Sequence, residues 1–447
     1  MTAGRRLAFA AMLGAVAIVI MAAQAGLWFG GEGVVDGHTL LLRFVALWAV
    51  AGACYLGAVA LLMEVEGHGA VMLVLAVAAA LRVVPFAMPP FLSTDVYRYV
   101  WDGRVQNAGI NPYRYIPDAP ELSSLRDEAI FERMNRPDYA PTIYPPAAQM
   151  VFAAVARVSE TVRAMKVAVI LAEVVGIAAM LALLRRAGLP AGRVAIYAWN
   201  PVFAWEYAGN GHVDALVVAF VGLALLAAVG RRAALAGVAL AAAVLTKFVP
   251  VVLAPALWRP RERGSRWRFP PAAVIAVGAA YACYASVGVR VLGFLGGYSG
   301  EEGLTSGRGI YPLQWLRLAI GLPGWAGVAW LACAAIVLAA LGLFVVTGRR
   351  AGTDAAGLGR DALLLAIAAT VAISPHYAWY YGWLAYLCCL APWPSVIFLS
   401  VACLGCYIDA DHTNFGWATA VTGAFAVLAV RDLWRGARSG AALARST

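Results

Sequence analysis

Residues 233–257 read AALAGVALAAAVLTKFVPVVLAPAL, twenty-five positions with one ionisable side chain, Lys247, between Arg231-Arg232 on one side and Arg259 on the other. Such a run has no polar face to show to water, and about 20 apolar residues suffice to cross a bilayer core of roughly 30 Å. Arginines at both ends conflict with a simple crossing, because basic residues collect on the cytoplasmic side of a membrane. A re-entrant hairpin of two short helices, broken around Lys247 and Pro250, reconciles the two; a single tilted span is the rival. Either way the segment needs lipid.

The rest of the chain repeats the pattern. Of 447 residues 63 % are hydrophobic and 13 % charged, against about 50 % and 25 % in a soluble domain. Apolar runs fall near 7–29, 38–62, 70–90, 166–184, 194–209, 212–229, 270–290, 324–347, 361–375, 377–391, 394–408 and 414–430. They predict an all-α polytopic membrane protein of about 12 transmembrane helices, a single domain over 1–447. The first run is expected to be a retained span, because no small-residue cleavage site precedes a polar mature region. Arginine clusters at 5–6, 185–193, 231–232, 259–268, 349–360 and 431–445 share one side if both termini are cytoplasmic, which in a bacterium means a multi-pass protein of the inner (plasma) membrane. The net charge of +10 is thus strung between spans and forms no basic face for nucleic acid. The seven cysteines all lie in apolar stretches, so they write no disulfide or zinc framework.

That orientation leaves 91–165, 209–214, 291–323, 374–381 and 409–413 outside, and these segments hold most of the unusual polar and aromatic clusters. After Pro89-Pro90, Ser93 or Thr94 can cap a helix whose first turn holds Asp95, where the helix dipole favours a carboxylate. Asp95, Arg98, Tyr99 and Asp102 then share one helical face, although ion pairing on a solvated helix would give the same spacing. Gly109 and Asn111-Pro112 predict a turn with Tyr113 and Tyr115 behind it, and Asn135-Arg136-Pro137-Asp138 a second. Between them, ELSSLRDEAIFERM carries Ser124 and Asp127 in capping-box spacing and predicts an interfacial helix. TIYPP, with Tyr144, returns the chain to the membrane, and 146–158 predicts a short helix at its surface.

Four strings, DVYRYVWDGRVQNAGINPYRY (95–115), NGHVDAL (210–216), LTKFVPVVLAPAL (245–257) and SPHYAWYYGW (374–383), resemble in order and sidedness the GT-C fold glycosyltransferases. Within that class the chain is most similar to bacterial polyprenyl-phosphate-mannose-dependent mannosyltransferases, over most of residues 80–390. The resemblance implies transfer of a sugar, mannose by expectation, from a polyprenyl-phosphate donor to a hydroxyl of a glycan, lipid or protein acceptor outside the cell, with inversion. It implies Asp95 as general base, with Asp102 as an alternative base or a ligand of sugar hydroxyls. The carboxylate here follows the third span, where the class commonly has it after the first. Thr94-Asp95 also stands where some relatives carry two adjacent acids, which weakens the expectation of a metal and leaves metal dependence open; no cofactor is expected beyond the lipid-linked sugar.

Such chemistry needs a base for the acceptor proton and cations for the departing lipid phosphate. Lys247 is the leading phosphate ligand, since an ionisable group in apolar sequence is expensive and usually functional; a lysine snorkelling to the interface is the alternative. Asn210, His212 and Asp214 interrupt two spans with more ionisable groups than a tight turn requires. His376, with Tyr377 and Tyr380, lies where an aromatic belt would explain the tyrosines but not the histidine. Arg98, Tyr99, Arg104, Tyr113 and Tyr144 complete the expected binding set in the first external loop. The glycine-rich loop 291–323 suits a mobile cover, with Arg308 reaching a phosphate and Tyr311 stacking on a sugar; a flexible connector is the plainer reading. Asp409-Ala410-Asp411 resembles the D-x-D of nucleotide-sugar enzymes but lies on the face where nucleotide sugars are scarce. A lipid or solute transporter or flippase is the competing function; it would need inverted repeats and several broken helices, and one candidate break is visible. A ligase joining lipid-linked polysaccharide would share the fold and differ in the size of its donor.

Overall fold

The computed structural model describes residues 1–31, 36–258, 265–348, 355–408 and 415–444. Arg259, Arg261, Arg263, Arg349, Arg350, Asp409, Asp411 and Arg445 lie outside the described residues. All regular structure among the described residues is helical, as expected of backbone that must satisfy its own hydrogen bonds in hydrocarbon. The order begins α1 (Ala3–Gly31), α2 (Gly37–Leu62), α3 (His68–Ala87), α4 (Asp95–Asn107), α5 (Pro146–Val158), α6 (Val162–Ala187), α7 (Asp214–Val229) and α8 (Ala233–Val244).

Six helices among the described residues are long and apolar enough to cross a bilayer, or up to eight if two bent pairs each count as one span. The twelve crossings expected from apolar runs are therefore not all present as single long helices among the described residues, and the reason is local. Pro201 lacks the N–H that would continue a helix, and Asn200 caps the new start by accepting from the Val202 N–H at 2.9 Å. The run 194–209 thus breaks into Ala195–Ala198, Pro201–Phe203 and a wide turn over Ala204–Gly209, which meets α7 at 112°. The run 270–290 likewise bends by 111°, after Ala282. The run 377–391 yields only Ala378–Tyr381 and Gly382–Cys388.

The segment 233–257 is broken where the sequence places the break: α8 ends at Val244, and Val249–Leu253 and Ala254–Trp258 follow. Its corner carries the Leu245 carbonyl, which accepts from the Ala147 N–H at 2.9 Å and so pins the start of α5 to the break. The helix expected across ELSSLRDEAIFERM does not form. Short 3-10 turns occupy Pro120–Leu125 and Phe131–Arg133, and the Asp127 carboxylate caps the second by accepting from Ile130 at 2.8 Å.

Inside the apolar bundle, Glu173 on α6 receives two hydrogen bonds from Arg82 on α3, at 2.7 and 2.9 Å, and a third from the Tyr197 hydroxyl at 3.2 Å. Arg82 also donates to the Ala198 carbonyl at 2.8 Å. This buried network stitches α3, α6 and the broken 195–209 run together. A second, smaller core unites α4, α5 and the loop between them around Tyr99, Trp101, Phe152 and Met165.

Candidate active site

Where α3 stops determines where Asp95 starts. Lys166 on α6 donates to the Pro85, Phe86 and Met88 carbonyls at 3.1, 2.9 and 2.8 Å, a buried cation on the electronegative helix end. Past Pro89-Pro90 the chain is caught by Asn210, whose Oδ1 accepts from the Phe91 and Leu92 N–H groups at 3.2 and 3.3 Å. Its Nδ2 donates to Glu206 at 3.1 Å. Gly211 follows with φ +76, and a Cβ there would meet Val96 at 2.9 Å, so the corner that carries Asn210 and His212 requires glycine. The hydroxyl that meets the first turn of α4 is Ser93's, accepting from the Asp95 N–H at 3.2 Å; Thr94 occupies the cap position without a side-chain bond.

The Asp95 side chain is 20 % exposed. It accepts from Asn135 Nδ2 at 2.7 Å and from the Tyr144 hydroxyl at 3.2 Å, and its open side faces a cavity of about 450 Å³. Burial and the adjacent Asp95 charge push the Tyr144 hydroxyl well above its ordinary range, so it remains a neutral donor to the carboxylate.

Seven of the sixteen residues expected from the sequence line this one cavity: Asp95, Arg98, Tyr144, Lys247, His376, Tyr377 and Tyr380. They arrive from α4, the loop before α5, the break after α8 and the 374–381 corner. Lys247 pairs with Asp214 at 2.8 Å and lies 4.0 Å over the Tyr380 ring. His376 faces Glu302 Oε2 through Nδ1 and the Gly309 carbonyl through Nε2, both at 2.7 Å. Arg136 joins Lys247 and Arg98 at the rim. Ile143, Phe248, Val249, Phe294, Leu295 and Ile373 form the apolar wall. One carboxylate, several cations, aromatic faces and an apolar wall together match a molecule with a hydroxylated ring, a phosphate and a hydrocarbon chain.

The other expected residues lie elsewhere. Asp102 is buried and its carboxylate is fully engaged, accepting from Arg98 at 2.9 Å, Gln149 at 2.8 Å and the Thr142 hydroxyl; it ties α4 to α5 and lies outside the cavity. Tyr99 is buried, stacked on Phe152 at 4.6 Å. Arg104 spans Asp127 and Glu160, both at 2.8 Å, and fastens the loop between α4 and α5 to the start of α6. Tyr113 donates to the Tyr144 carbonyl at 2.7 Å, behind the wall. Asn210 is consumed in holding the 91–92 backbone, and His212 and Asp214 form a layer behind Asp95 and Lys247. Tyr311 is 2 % exposed, packed on His376 and Phe415 with its hydroxyl on the Pro375 carbonyl, so no sugar can stack there. Arg308 is exposed in a separate outer hollow beyond His376.

Sequence reasoning missed Asn135, Arg136, Tyr298 and Glu302 in the cavity and Lys166 beneath it. The argument that singled out Lys247, an ionisable group in apolar sequence, applies equally to Lys166. Asn135 and Arg136 were legible only as turn residues. Among the described residues, no three His, Cys, Asp or Glu side chains are grouped to hold a metal ion.

No curated protein and no solved structure matches the chain. A family model does, that of the alpha-(1->6)-mannopyranosyltransferase N-terminal domain, over residues 4–259. The match covers more than half of the chain and takes in Asp95, the Asn210–Asp214 corner and Lys247. The protein therefore belongs to this mannosyltransferase family, as a multi-pass membrane glycosyltransferase of the GT-C type.

Proposed function

We propose that the protein moves mannose from a polyprenyl-phosphate donor to a hydroxyl of a mannan-type acceptor, at the external face of the plasma membrane, with Asp95 as general base and inversion at the anomeric carbon. The observation that carries this reading is that Asp95, held by Asn135 and Tyr144, opens on the same cavity as Arg98, Lys247 and His376. The family description names an alpha-(1->6) linkage, and a primary 6-hydroxyl is accordingly the acceptor we assign.

The chemistry follows from the layout. Asp95 takes the acceptor proton as the hydroxyl oxygen attacks the anomeric carbon and the bond to phosphate breaks, the electron pair leaving with the phosphate. The transition state gathers positive charge on the sugar and negative charge on the departing group. Lys247, Arg98 and Arg136 supply the cationic N–H donors for the latter, and His376 stands beside them. The apolar wall seats the first isoprene units, and Tyr144, Tyr377 and Tyr380 offer ring faces and hydroxyls to the sugar. The resident arginines, lysine and histidine meet the leaving charge, so the reading calls for no cofactor beyond the donor itself. A transporter would find less use for a carboxylate hydrogen-bonded in place inside the pocket.

The decisive experiment supplies membranes carrying Asp95→Asn with labelled polyprenyl-phosphate mannose and a mannoside acceptor. We expect transfer to fall by about 10³-fold or more with the chain still inserted and folded. Retained transfer would defeat the base assignment, and substrate movement across sealed vesicles without a covalent product would favour a transporter.

A further inference from the structure

Behind Asp95, on the side away from the cavity, lies a line of ionisable side chains that sugar transfer as described leaves unused. His212 is fully buried, its ring stacked on Trp379 with centroids 3.8 Å apart and planes at 16°. The stack fixes the plane of the ring and points its two nitrogens at two carboxylates. Nδ1 is 3.9 Å from Asp95 Oδ2, and Nε2 is 3.4 Å from Glu206 Oε2. Neither nitrogen makes a formed hydrogen bond. Buried polar atoms are ordinarily satisfied, and a purely structural histidine would satisfy at least one of these. Glu206 is also fully buried, held by Asn210 Nδ2 at 3.1 Å and by the Tyr407 hydroxyl.

The unequal distances fit one tautomer. With the proton on Nε2, the ring offers an N–H toward Glu206 on the shorter side. The bare Nδ1 lone pair then faces the ionised Asp95, and two electron-rich atoms stand apart. Once Asp95 carries a proton it becomes a donor to Nδ1, and the gap has reason to close.

We propose that Asp95, His212 and Glu206 form a proton relay, in which the proton that Asp95 takes from the acceptor is passed to His212 Nδ1 as the Nε2 proton passes to Glu206. The proposal rests on the reading that Asp95 is the base. His212 and Glu206 act through Asp95 and are positioning residues. Every proton is accounted for: the acceptor O–H bond breaks, an O–H bond forms on Asp95 and is exchanged for Nδ1–H, and Nε2–H is exchanged for an O–H on Glu206. No electrons change owner. When product leaves and water re-enters the cavity, the proton returns by the same route.

The surrounding charges favour passage over storage on the ring. Burial first, and then Lys247 on the α8 side, paired with Asp214, disfavour a positive charge on His212. Glu206 receives hydrogen bonds from Asn210 and the Tyr407 hydroxyl, one on each oxygen, two donors that favour the carboxylate able to take the proton.

The test is single-turnover mannosyl transfer by the purified full-length chain in lipid nanodiscs, with a short-chain polyprenyl-phosphate mannose and an alkyl mannoside, across H₂O–D₂O mixtures. The wild type is expected to give a curved proton inventory, from more than one proton in flight. Glu206→Gln, isosteric and still able to bond Asn210 and Tyr407, is expected to slow transfer about 10-fold, to leave the donor KM within about 2-fold, and to give a linear inventory. His212→Asn is expected to slow it further; should loss of the Trp379 stack unfold that variant, Glu206→Gln carries the test alone. A linear wild-type inventory, or one that Glu206→Gln leaves unchanged whatever the rate, overturns the relay. If that happens while Asp95→Asn is inactive, the base assignment stands and the relay alone falls; an active Asp95→Asn sinks both.

Discussion

Asp95 and Asp102 stand on one helix, two turns apart, and the structure uses them oppositely. Asp95 keeps an open side to the cavity and has Asn135 and Tyr144 on its flanks. Asp102 spends all its acceptor capacity on Arg98, Thr142 and Gln149 and is 2 % exposed. The lysines repeat the contrast. Lys247 lines the cavity beside Asp214 and Tyr380, while Lys166 donates to three backbone carbonyls at the end of α3. In each pair one member borders the cavity while the other is spent inside the fold, Asp102 on side chains of α4, α5 and the loop between them, Lys166 on the end of α3.

The largest effects should separate the two members of the carboxylate pair. Asp95→Asn is expected to abolish transfer, by about 10³-fold or more, and to leave thermal unfolding of the detergent-solubilised chain near that of the wild type. Asp102→Asn should do the reverse. It strips the charge from a buried pair and leaves Arg98 uncompensated, a loss of about 3–5 kcal/mol seen as a lower unfolding temperature, while whatever folds retains turnover. If Asp102→Asn proves stable and inactive, the contrast is wrong and Asp102 belongs to the chemistry.

The buried pair Arg82–Glu173 sharpens the same distinction inside the bundle. Either single change, Arg82→Met or Glu173→Leu, should cost about 3–5 kcal/mol by orphaning a buried charge, whereas the double change should recover most of the loss. Thermal unfolding of the singles and the double closes the cycle. Additive losses would mean that the two side chains do not act as a pair. Next in size, Lys247→Met is expected to raise the donor KM of the folded fraction by about 10- to 100-fold, the loss of one charge-assisted contact of about 1.5–3 kcal/mol, and to lower the folded yield by leaving Asp214 buried and unpaired. Lys166→Met should leave the donor KM of the folded fraction near wild type and lower the folded yield.

Which of these residues could be read from the sequence depends on how far the deciding interaction reaches. Helical fold class, the break at Lys247, the helix beginning at Asp95 and the one over 146–158 are local matters of apolar length, capping and proline, and the structure has them at or within a few residues of the expected positions. The crossing count was less legible, because Asn200-Pro201 and the turn over 204–209 bend an apolar run without making it more polar. The helix expected at ELSSLRDEAIFERM failed for a different reason. Its Asp127 could cap a helix, but the side chain also pairs with Arg104, 23 positions away, and the loop follows that tether. The resemblance preferred Asp95 to Asp102, but that Asp102 is spent inside the fold, and that Tyr144 and not Tyr113 lines the cavity, lay beyond reach, since Gln149, Thr142 and Asn135 decide it from across long stretches of chain.

The smallest expected effect tests the outer boundary of the site. Arg308 was a natural phosphate ligand by composition, in a glycine-rich loop with a neighbouring tyrosine, yet it is exposed in the outer hollow and the His376–Glu302 pair stands between that hollow and the cavity. A cation in water acts weakly over such a barrier, because exposed charges are screened within about 8 Å at physiological salt. Arg308→Ala should therefore leave the donor KM within about 2-fold of wild type, while Arg98→Ala, whose guanidinium lies on the cavity wall and also holds Asp102, should impair both binding and stability. A donor KM that rises as steeply for Arg308→Ala as for Lys247→Met would show that the loop closes over the lipid phosphate during turnover and brings Arg308 inward past His376.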